Sequence, residues 1–349
     1  MDFSHLSQQH VSAKRATFLA LIGLVAVSCI YLTYSSGPSA QTFLLDSSSL
    51  DESYFKMHLE KFGKSYSSNE YQTRLRVFND NMGYIRKVNS MNKDWYLSPN
   101  QFTDLTNQEF RSIYLPNKMF PEINESIESE INLQYPTSVN WVTAGAVTGV
   151  KNQGQCGSCW AFSTTGAVEG AWKLAGHTLT SLSEQQLVSC NTQNSGCNGG
   201  WPAVAMQYII SNKGITTESN YPYTARNGVC NKSAASQVAS TISSYKQVAS
   251  NNVDALATAV AQQPVSVLVD AGGADWQSYG GGIVTDKNCG NSLDHAVLAV
   301  GYNMGNSPAY WLVKNSWGTS WGEAGYIRLA AVAGNGICGV QMSCYYPVV

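Results

Sequence analysis

Residues 153–160 read QGQCGSCW and place Cys159 at the start of a segment with helical periodicity. The helix dipole and the unpaired backbone N–H groups at a helix start favour the thiolate over the thiol, and the thiolate is the nucleophile. Gln153 lies six residues earlier and can offer its side-chain amide, beside the Cys159 N–H, to a tetrahedral oxyanion. The run therefore predicts nucleophilic catalysis at a carbonyl group.

A thiol nucleophile needs a proton partner, and only two histidines, His177 and His295, lie beyond residue 58. His177 follows the end of the helix that Cys159 begins. It would lie about 27 Å away along the axis at 1.5 Å per residue, too far for proton transfer. His295 leads into an apolar strand that would hold it rigidly. This geometry predicts that His295 is the proton partner.

A third group should orient the imidazole ring and fix its tautomer. Asn315 follows a strand close in sequence to that of His295, and its amide oxygen can accept the ring N–H. Trp317 can shield that bond from water. A lone histidine or asparagine is most often a packing or turn residue, but their occurrence together with Cys159 favours a catalytic site.

The elements that must position these residues change character along the chain. Helices are predicted over Cys159–Ala175, from a capping box of Ser183 and Gln186, and from Pro202 to near Gly214. Strands are predicted at Pro264–Val269, His295–Tyr302, Ala309–Lys314 and Gly325–Leu329. A helical half followed by a strand half favours an α+β fold with a cleft between the two parts.

Six side chains in the N-terminal part repeat at steps of three or four residues and define one face of an amphipathic helix. They are Glu70, Arg74, Phe78, Asn81, Ile85 and Asn89. Glu70 precedes Arg74 by four residues, which is the favourable order for a helix ion pair. Taken alone, this pattern indicates ordinary helix packing.

The apolar stretch 16–34 follows Lys14 and Arg15, as in a secretory signal. Residues 1–40 are therefore predicted to be a signal peptide, with a small-residue cleavage site at 26–28. A signal anchor is the alternative because the stretch is near the length that spans a bilayer, and a buried core helix is a third.

Composition excludes some classes of function. Charged residues make up 13% of the 349 residues, and the net charge is −2. From Tyr135 onward nine Lys/Arg balance nine Asp/Glu, so no basic patch suits a nucleic acid. Eight of the nine cysteines follow residue 155, which predicts disulfides and an oxidising compartment. The cysteines and histidines form no metal-binding pattern, and neither a metal nor an organic cofactor is predicted.

The motifs above, from about Leu50 to Val349, resemble those of the papain and cathepsin L family of cysteine peptidases. The separations of 136 residues from Cys159 to His295 and 156 to Asn315 match that family's known signature. The resemblance implies a two-lobed α+β fold, with a helical left lobe and an antiparallel β-barrel-like right lobe. It makes 50–110 a separate helical inhibitory propeptide, 111–134 its linker, and 135–349 the peptidase domain.

The resemblance also assigns residues to substrate binding. This group is Gly199, Gly200, Trp201, Pro202, Leu268, Ala296, Ser343 and Trp317. The glycine backbone at 199–200 is expected to pair with extended substrate. Five of these side chains are expected to line the pocket for P2, the second substrate residue upstream of the cut. They are Trp201, Pro202, Leu268, Ala296 and Ser343. Apolar walls with a small Ser343 at the base favour an apolar P2 residue over Arg.

Three disulfides are implied in the same way, namely Cys156–Cys197, Cys190–Cys230 and Cys289–Cys338, and these leave Cys159 free and Cys29 and Cys344 unpaired. The Glu70-to-Asn89 series resembles the family's propeptide helix. A second propeptide motif contains Asn100, Phe102 and Asp104. Two residues depart from the family pattern, because His58 stands where Trp is usual and Ser98 where Gly is usual.

The expected function is a lumenal cysteine endopeptidase, made as a zymogen, that hydrolyses proteins and peptides through a thioester. Its propeptide is the expected inhibitor, and acid should release it by protonating carboxylates such as Glu70 and Asp104, so that Glu70→Gln should speed activation near neutral pH. We expect a monomer in the lysosome or an acidic vacuole, or secreted, that cystatin-like inhibitors can bind. It would be membrane-bound only if 16–34 is retained. Asn124 and Asn231 head glycosylation sequons.

Two other functions remain open at this point. Cys156 and Cys159 form a CxxC motif, which in a thiol–disulfide oxidoreductase would bond to each other, although no thioredoxin-like βαβ pattern surrounds them. The other alternative is a catalytically inactive binding protein on the papain fold, since a fold does not guarantee activity.

Overall fold

A computed structural model of the protein describes residues 47–115 and 134–349. We call these the N-terminal segment and the C-terminal domain. The predictions for 1–40, for Cys29 and for Asn124 lie outside the described residues. No helix within the described ranges is long and apolar enough to cross a membrane.

The N-terminal segment contains three helices and a short strand. These are α1 (Ser47–Phe62), α2 (Ser68–Asn89), β1 (Trp95–Leu97) and α3 (Asn107–Tyr114). The predicted amphipathic helix is α2, and it buries Phe78 and Ile85 on one face. A capping box of Thr106 and Glu109 starts α3. Because α3 continues to Tyr114, residues 111–114 are helical and not part of an exposed linker.

The described C-terminal domain contains six α-helices, four of them in its first half. They are α4 (Cys159–Leu174), α5 (Glu184–Cys190), α6 (Pro202–Ser211), α7 (Lys232–Ala235), α8 (Val253–Gln262) and α9 (Ala274–Ser278). Ser183 caps α5 by accepting the Gln186 N–H. The predicted capping box is only half formed, because the Gln186 side chain accepts the Thr216 N–H instead.

The strands form one mixed sheet. Those of the C-terminal domain are β2 (Ser138–Asn140), β3 (Ser244–Gln247), β4 (Val265–Val269), β5 (Tyr279–Val284), β6 (His295–Asn303), β7 (Tyr310–Lys314), β8 (Tyr326–Ala330) and β9 (Cys344–Val348). Their order is β1-β5-β8-β7-β6-β4-β9-β3, with β2 pairing β6. All described pairs are antiparallel except β5 with β8. The expected antiparallel right lobe is therefore confirmed, with β5 and β8 as the one parallel pair among the described strands.

The sequence predicted a separate helical propeptide. In the structure the N-terminal segment also adds a strand to the sheet. Strand β1 pairs with β5 of the C-terminal domain and becomes the edge of the sheet. An edge strand has unpaired N–H and C=O groups that readily accept another extended segment.

Strand β6 lies between two apolar cores. Val297 and Ala299 pack into the core shared by the sheet and the N-terminal segment, whereas Ala296 and Leu298 pack into the core shared with α4 and α6. This alternation follows from the two-residue period of a strand. His295, the first residue of β6, is thereby held at the boundary between the two lobes.

Candidate active site

Helix α4 and strand β6 approach closely and bring Cys159 towards His295. A Cβ atom on Gly166 would lie 2.8 Å from Leu298 Cδ2, so any larger residue would require the Leu298 side chain to move. Ser163 Oγ, one turn after Cys159, donates a 2.7 Å hydrogen bond to the Val297 carbonyl oxygen. The Cys159 thiol interacts with the backbone of Ala296, the residue after His295. The two predicted catalytic residues are therefore neighbours across the lobes.

The His295 ring is fixed by two contacts from the loop after β7. Its Nε2 lies 2.8 Å from Asn315 Oδ1, and the Trp317 ring stacks on it with centroids 4.6 Å apart. Because an amide oxygen only accepts, Nε2 carries the proton of this bond. The other nitrogen, Nδ1, is buried and has no hydrogen-bond partner among the described residues. That nitrogen is available to exchange a proton with the thiol.

Complete burial shifts the pKa values of both Cys159 and His295 in this structure. Burial raises the pKa of the Cys159 thiol to about 12, although backbone hydrogen bonds from Ala296 and Trp160 oppose it. Burial lowers the pKa of His295 to about 4 against the opposing effect of Asn315. In this precursor, desolvation therefore opposes the thiolate that the helix start favours.

Gln153 donates its side-chain amide to a residue of the N-terminal segment. Its Nε2 donates hydrogen bonds of 2.9 Å to the carbonyl oxygens of Tyr114 and Cys156. Its Oε1 accepts a 2.7 Å bond from Ser316 Oγ, which fixes the amide orientation. The Tyr114 carbonyl oxygen therefore accepts the hydrogen bond from Gln153 that was predicted to stabilise the oxyanion. Nothing local in the sequence signals this role for Tyr114.

Aromatic packing holds the N-terminal segment over the site. The rings of Phe102 and Phe110 meet the Trp317 ring edge-on, with centroids 5.6 Å and 5.2 Å away. Gln101 Nε2 donates a 2.7 Å hydrogen bond to the Trp317 carbonyl oxygen. The indole that stacks on His295 is thus covered from the other side, which excludes water and substrate.

Comparisons with known proteins agree with this arrangement. Residues 135–348 match the model of the papain family cysteine proteases. The chain belongs to the papain family of cysteine proteases. Residues 55–110 match the cathepsin propeptide inhibitor domain, so the N-terminal segment is the propeptide of this papain-family zymogen.

Relatives and solved structures cover most of the chain. Vignain of Ricinus communis is 47% identical over 296 residues, which are 81% of this chain and 82% of the relative. A recombinant stem bromelain precursor has a TM-score of 0.80 at 38% identity and covers 86% of this chain and 99% of its own. Procathepsin L 3 of the Tenebrio molitor larval midgut has a TM-score of 0.75 at 39% identity, with the same two coverages. These homologues support a cysteine endopeptidase made as a zymogen and inhibited by its own propeptide.

The disulfides exclude the oxidoreductase alternative. The three bonds are Cys156–Cys197, Cys190–Cys230 and Cys289–Cys338, the same pairs that the resemblance implied. Cys159 and Cys344 are free and buried. The Cys156–Cys159 bond that a CxxC redox site requires is therefore not formed. His177 stacks on Trp172 near the far end of α4, away from the papain-family site.

Three of the residues assigned to the P2 pocket belong to the apolar core that also contains Cys159. Leu268 and Ala296 are buried in the same core as Trp201, and Pro202 begins α6 beside them. Ser343 Oγ donates a 3.1 Å hydrogen bond to the Tyr345 hydroxyl oxygen. The Tyr345 ring packs edge-on against Trp201 with centroids 5.7 Å apart, and the sequence did not single out this tyrosine.

Glycines 199 and 200 directly precede Trp201 in the chain. Gly199 has a φ of 114°, and a Cβ on Gly200 would lie 2.7 Å from the Trp160 ring. A side chain at either position would be strained or would clash.

Asp104 organises the interior of the propeptide. Lys64 and Tyr66 donate to its carboxylate, and His58 Nε2 lies 3.5 Å from Oδ2. Burial alone would raise the pKa of Asp104, but these three contacts outweigh it and lower the pKa to about 2. The lowered pKa opposes protonation of Asp104 at the pH of acidic vesicles, which argues against the expected acid trigger at this residue.

The two departures from the family pattern have local explanations. His58 packs between Phe62 and Phe78, with centroids 4.9 Å and 5.0 Å away, in an aromatic cluster. Ser98 lies against Gly280, where a Cβ would come 2.7 Å from Ser98 Cβ. The glycine in β5 therefore makes room for the serine.

Proposed function

We propose that the mature chain cleaves internal peptide bonds with Cys159 as nucleophile, His295 as its proton partner and Asn315 as the group that orients His295. The observation that carries this assignment is the pairing of His295 Nε2 with Asn315 Oδ1 at 2.8 Å, which leaves Nδ1 without a partner among the described residues. This matches the nucleophile, base and orienting group of other thiol hydrolases.

The reaction has two covalent steps. The Cys159 thiol gives its proton to His295 Nδ1, and its sulfur attacks the substrate carbonyl carbon. The Gln153 amide and the Cys159 N–H donate to the resulting oxyanion. The oxyanion then reforms the carbonyl, the C–N bond breaks, and His295 gives its proton to the leaving amine. Water next loses a proton to His295 and attacks the thioester, which releases the carboxylic acid and the thiol.

We infer that substrates with an apolar P2 residue are preferred. The support is the apolar lining of the pocket by Trp201, Leu268 and Ala296, with the neutral Ser343 beside it. A desolvated Arg in this pocket would find no counter-charge. A higher kcat/KM for an Arg substrate than for its Leu or Phe counterpart would contradict this preference.

We place maturation near Tyr135, in or after the linker, and the protein in the secretory route as a monomer. Protein and peptide substrates, and cystatin-like inhibitors, are its proposed partners, in an acidic vacuole, a lysosome or outside the cell. Asn231 is exposed in a sequon. We propose that both Asn231 and Asn124 carry glycans. Deletion of each sequon by Asn→Gln should increase electrophoretic mobility of the secreted protein.

The decisive experiment compares the wild-type precursor with Cys159→Ser at acid pH. Only the wild type should shorten by about 130 residues and digest a denatured protein, because the variant lacks the nucleophile. Mature wild-type protein that forms correctly but cleaves nothing would favour the inactive binding protein. Full activity of the variant would refute the role of Cys159.

A further inference from the structure

The propeptide also contacts the peptidase domain at the edge of the sheet. In the precursor, β1 pairs with β5 there through Trp95 with Gly282 and Tyr96 with Gly281. A Cβ on Gly282 would lie 2.4 Å from Trp95 Cα, and one on Gly281 would lie 2.8 Å from the Tyr96 hydroxyl. The glycines of β5 therefore allow an extended chain to approach more closely than other residues would.

Beside this edge, the Trp95 side chain is only 3% exposed and lines a small cavity together with residues of the peptidase domain. The apolar part of the cavity wall consists of Trp276, Tyr279, Val284, Ile327 and the Cys289–Cys338 disulfide. Since these are all residues of the peptidase domain, the wall does not leave with the propeptide.

The wall is held by bonds within the peptidase domain. Trp276 Nε1 donates to Cys338 Sγ at 3.0 Å, and Trp321 Nε1 donates to the Trp276 carbonyl oxygen at 2.8 Å. Tyr279 donates its hydroxyl to the Gly282 carbonyl oxygen at 2.6 Å. The pocket is thus preformed, which lowers the entropic cost of binding a new occupant.

Two carboxylates on the rim of the cavity complete the surface. Lys93 Nζ lies 2.7 Å from Asp286 Oδ2 and 4.4 Å from the centre of the Trp95 ring. Tyr84 donates its hydroxyl to Asp275 Oδ1 at 2.6 Å. Removal of the propeptide takes both partners away and leaves an acidic rim around an apolar pocket.

We propose that this surface is an exosite of the mature enzyme. It binds extended segments of protein substrates in which a basic residue stands two positions before a tryptophan. The segment adds as a strand to β5, the indole fills the pocket, and the cation pairs with Asp286. A substrate is the fitting occupant because Trp276 also contacts the catalytic histidine, with ring centroids of Trp276 and His295 6.4 Å apart. One indole separates the exosite from the reaction centre.

The test uses mature wild-type enzyme alkylated at Cys159, so that a peptide is bound and not digested. A fluorescent peptide copying residues 93–97 should bind, as measured by anisotropy. Trp95→Ala in the peptide should weaken binding about tenfold because it removes a buried aromatic anchor. Lys93→Gln in the peptide, or Asp286→Asn in the enzyme, should each weaken it about threefold.

The most discriminating measurement combines Lys93→Gln in the peptide with Asp286→Asn in the enzyme. Together these changes should weaken binding no more than either change alone. Asp254→Asn, an equal loss of charge elsewhere on the domain, should leave binding unchanged. Absence of binding by the wild-type peptide would overturn the exosite. Binding that is insensitive to the Trp95 and Asp286 changes would place the peptide elsewhere and overturn it as well.

A kinetic experiment then tests the link to catalysis in active enzyme. Fusing the sequence of residues 93–97 behind a cleavable site through a flexible linker should lower KM several-fold, and Asp286→Asn should abolish this gain. The kcat/KM for a short peptide lacking the tail should be equal in both enzymes, which confirms that the variant is folded. An equal gain in the variant would refute the exosite, whereas loss of all cleavage would concern only the catalytic assignment.

Discussion

The Tyr114 carbonyl oxygen of the propeptide accepts a 2.9 Å hydrogen bond from Gln153 Nε2, the donor that we assign to the oxyanion. Inhibition therefore uses a backbone carbonyl that satisfies the catalytic donor without presenting a bond for attack. Burial of Cys159 and His295 in the precursor also raises the pKa of the thiol and lowers that of the imidazole. Removal of the propeptide should free the donor and hydrate the pair in one event.

Replacing Gln153 with Ala should lower kcat of the mature enzyme by about 10²–10³-fold, because one preorganised oxyanion donor is lost. KM should change much less, since the interaction forms in the transition state. Gln155→Ala, an exposed glutamine in the same loop, is the matched control and should keep its activity. Steady-state kinetics on a short peptide measure both, and a Gln153→Ala enzyme with normal kcat would exclude an oxyanion role.

Replacing Asn315 with Ala should lower kcat/KM and change its pH profile. The bond to Asn315 raises the pKa of His295 relative to burial alone, so its loss should lower that pKa further. The alkaline limb, which reports deprotonation of His295, should then move to lower pH, and Asn315→Asp should restore the acceptor. A fall in activity with an unmoved alkaline limb would indicate a merely structural asparagine.

Replacing Asp104 with Asn should speed processing at pH 7 without moving the pH at which wild-type processing accelerates. The pKa of Asp104 is lowered to about 2, so its stabilising effect is complete above its unfolded value of 3.8 and is lost only as pH falls towards 2. Processing rates measured from pH 4 to 7 check this. A variant that loses the acid dependence would restore Asp104 as the trigger.

Replacing Glu70 with Gln should speed processing at pH 7 less than Asp104→Asn does. The sequence analysis predicted that Glu70→Gln would speed activation near neutral pH. Glu70 is exposed, and Arg74 keeps a second carboxylate partner in Glu109 at 2.9 Å. Exposed ion pairs contribute little to stability. Processing at pH 7 should therefore stay close to the wild-type rate, and an acceleration equal to that of Asp104→Asn would contradict this ranking.

Replacing Ser343 with Glu should increase the ratio of kcat/KM for Arg over Leu at P2 by about tenfold or more, because a buried carboxylate would pair with the guanidinium. Ser343→Ala is the control and should leave the ratio low, since it adds no charge. If Ser343→Glu leaves kcat/KM unchanged for both the Arg and the Leu substrate, Ser343 does not face the P2 side chain.

The chemistry of the site could be read from the sequence because it depends on residue types and local order. Cys159 at a helix start, His295 at the head of an apolar strand and Asn315 after the next strand are local patterns. The strands β4, β6, β7 and β8 followed likewise from their apolar runs. These features are properties of short stretches of chain.

Only the tertiary structure decided what those groups meet. The Tyr114 carbonyl at Gln153 and the pairing of β1 with β5 join residues far apart in the chain, and no periodic pattern encodes such contacts. The raised pKa of Cys159 likewise depends on desolvation in the folded precursor. Residue types set which reaction is available, while the surroundings of each group set whether it is charged, covered or free to react.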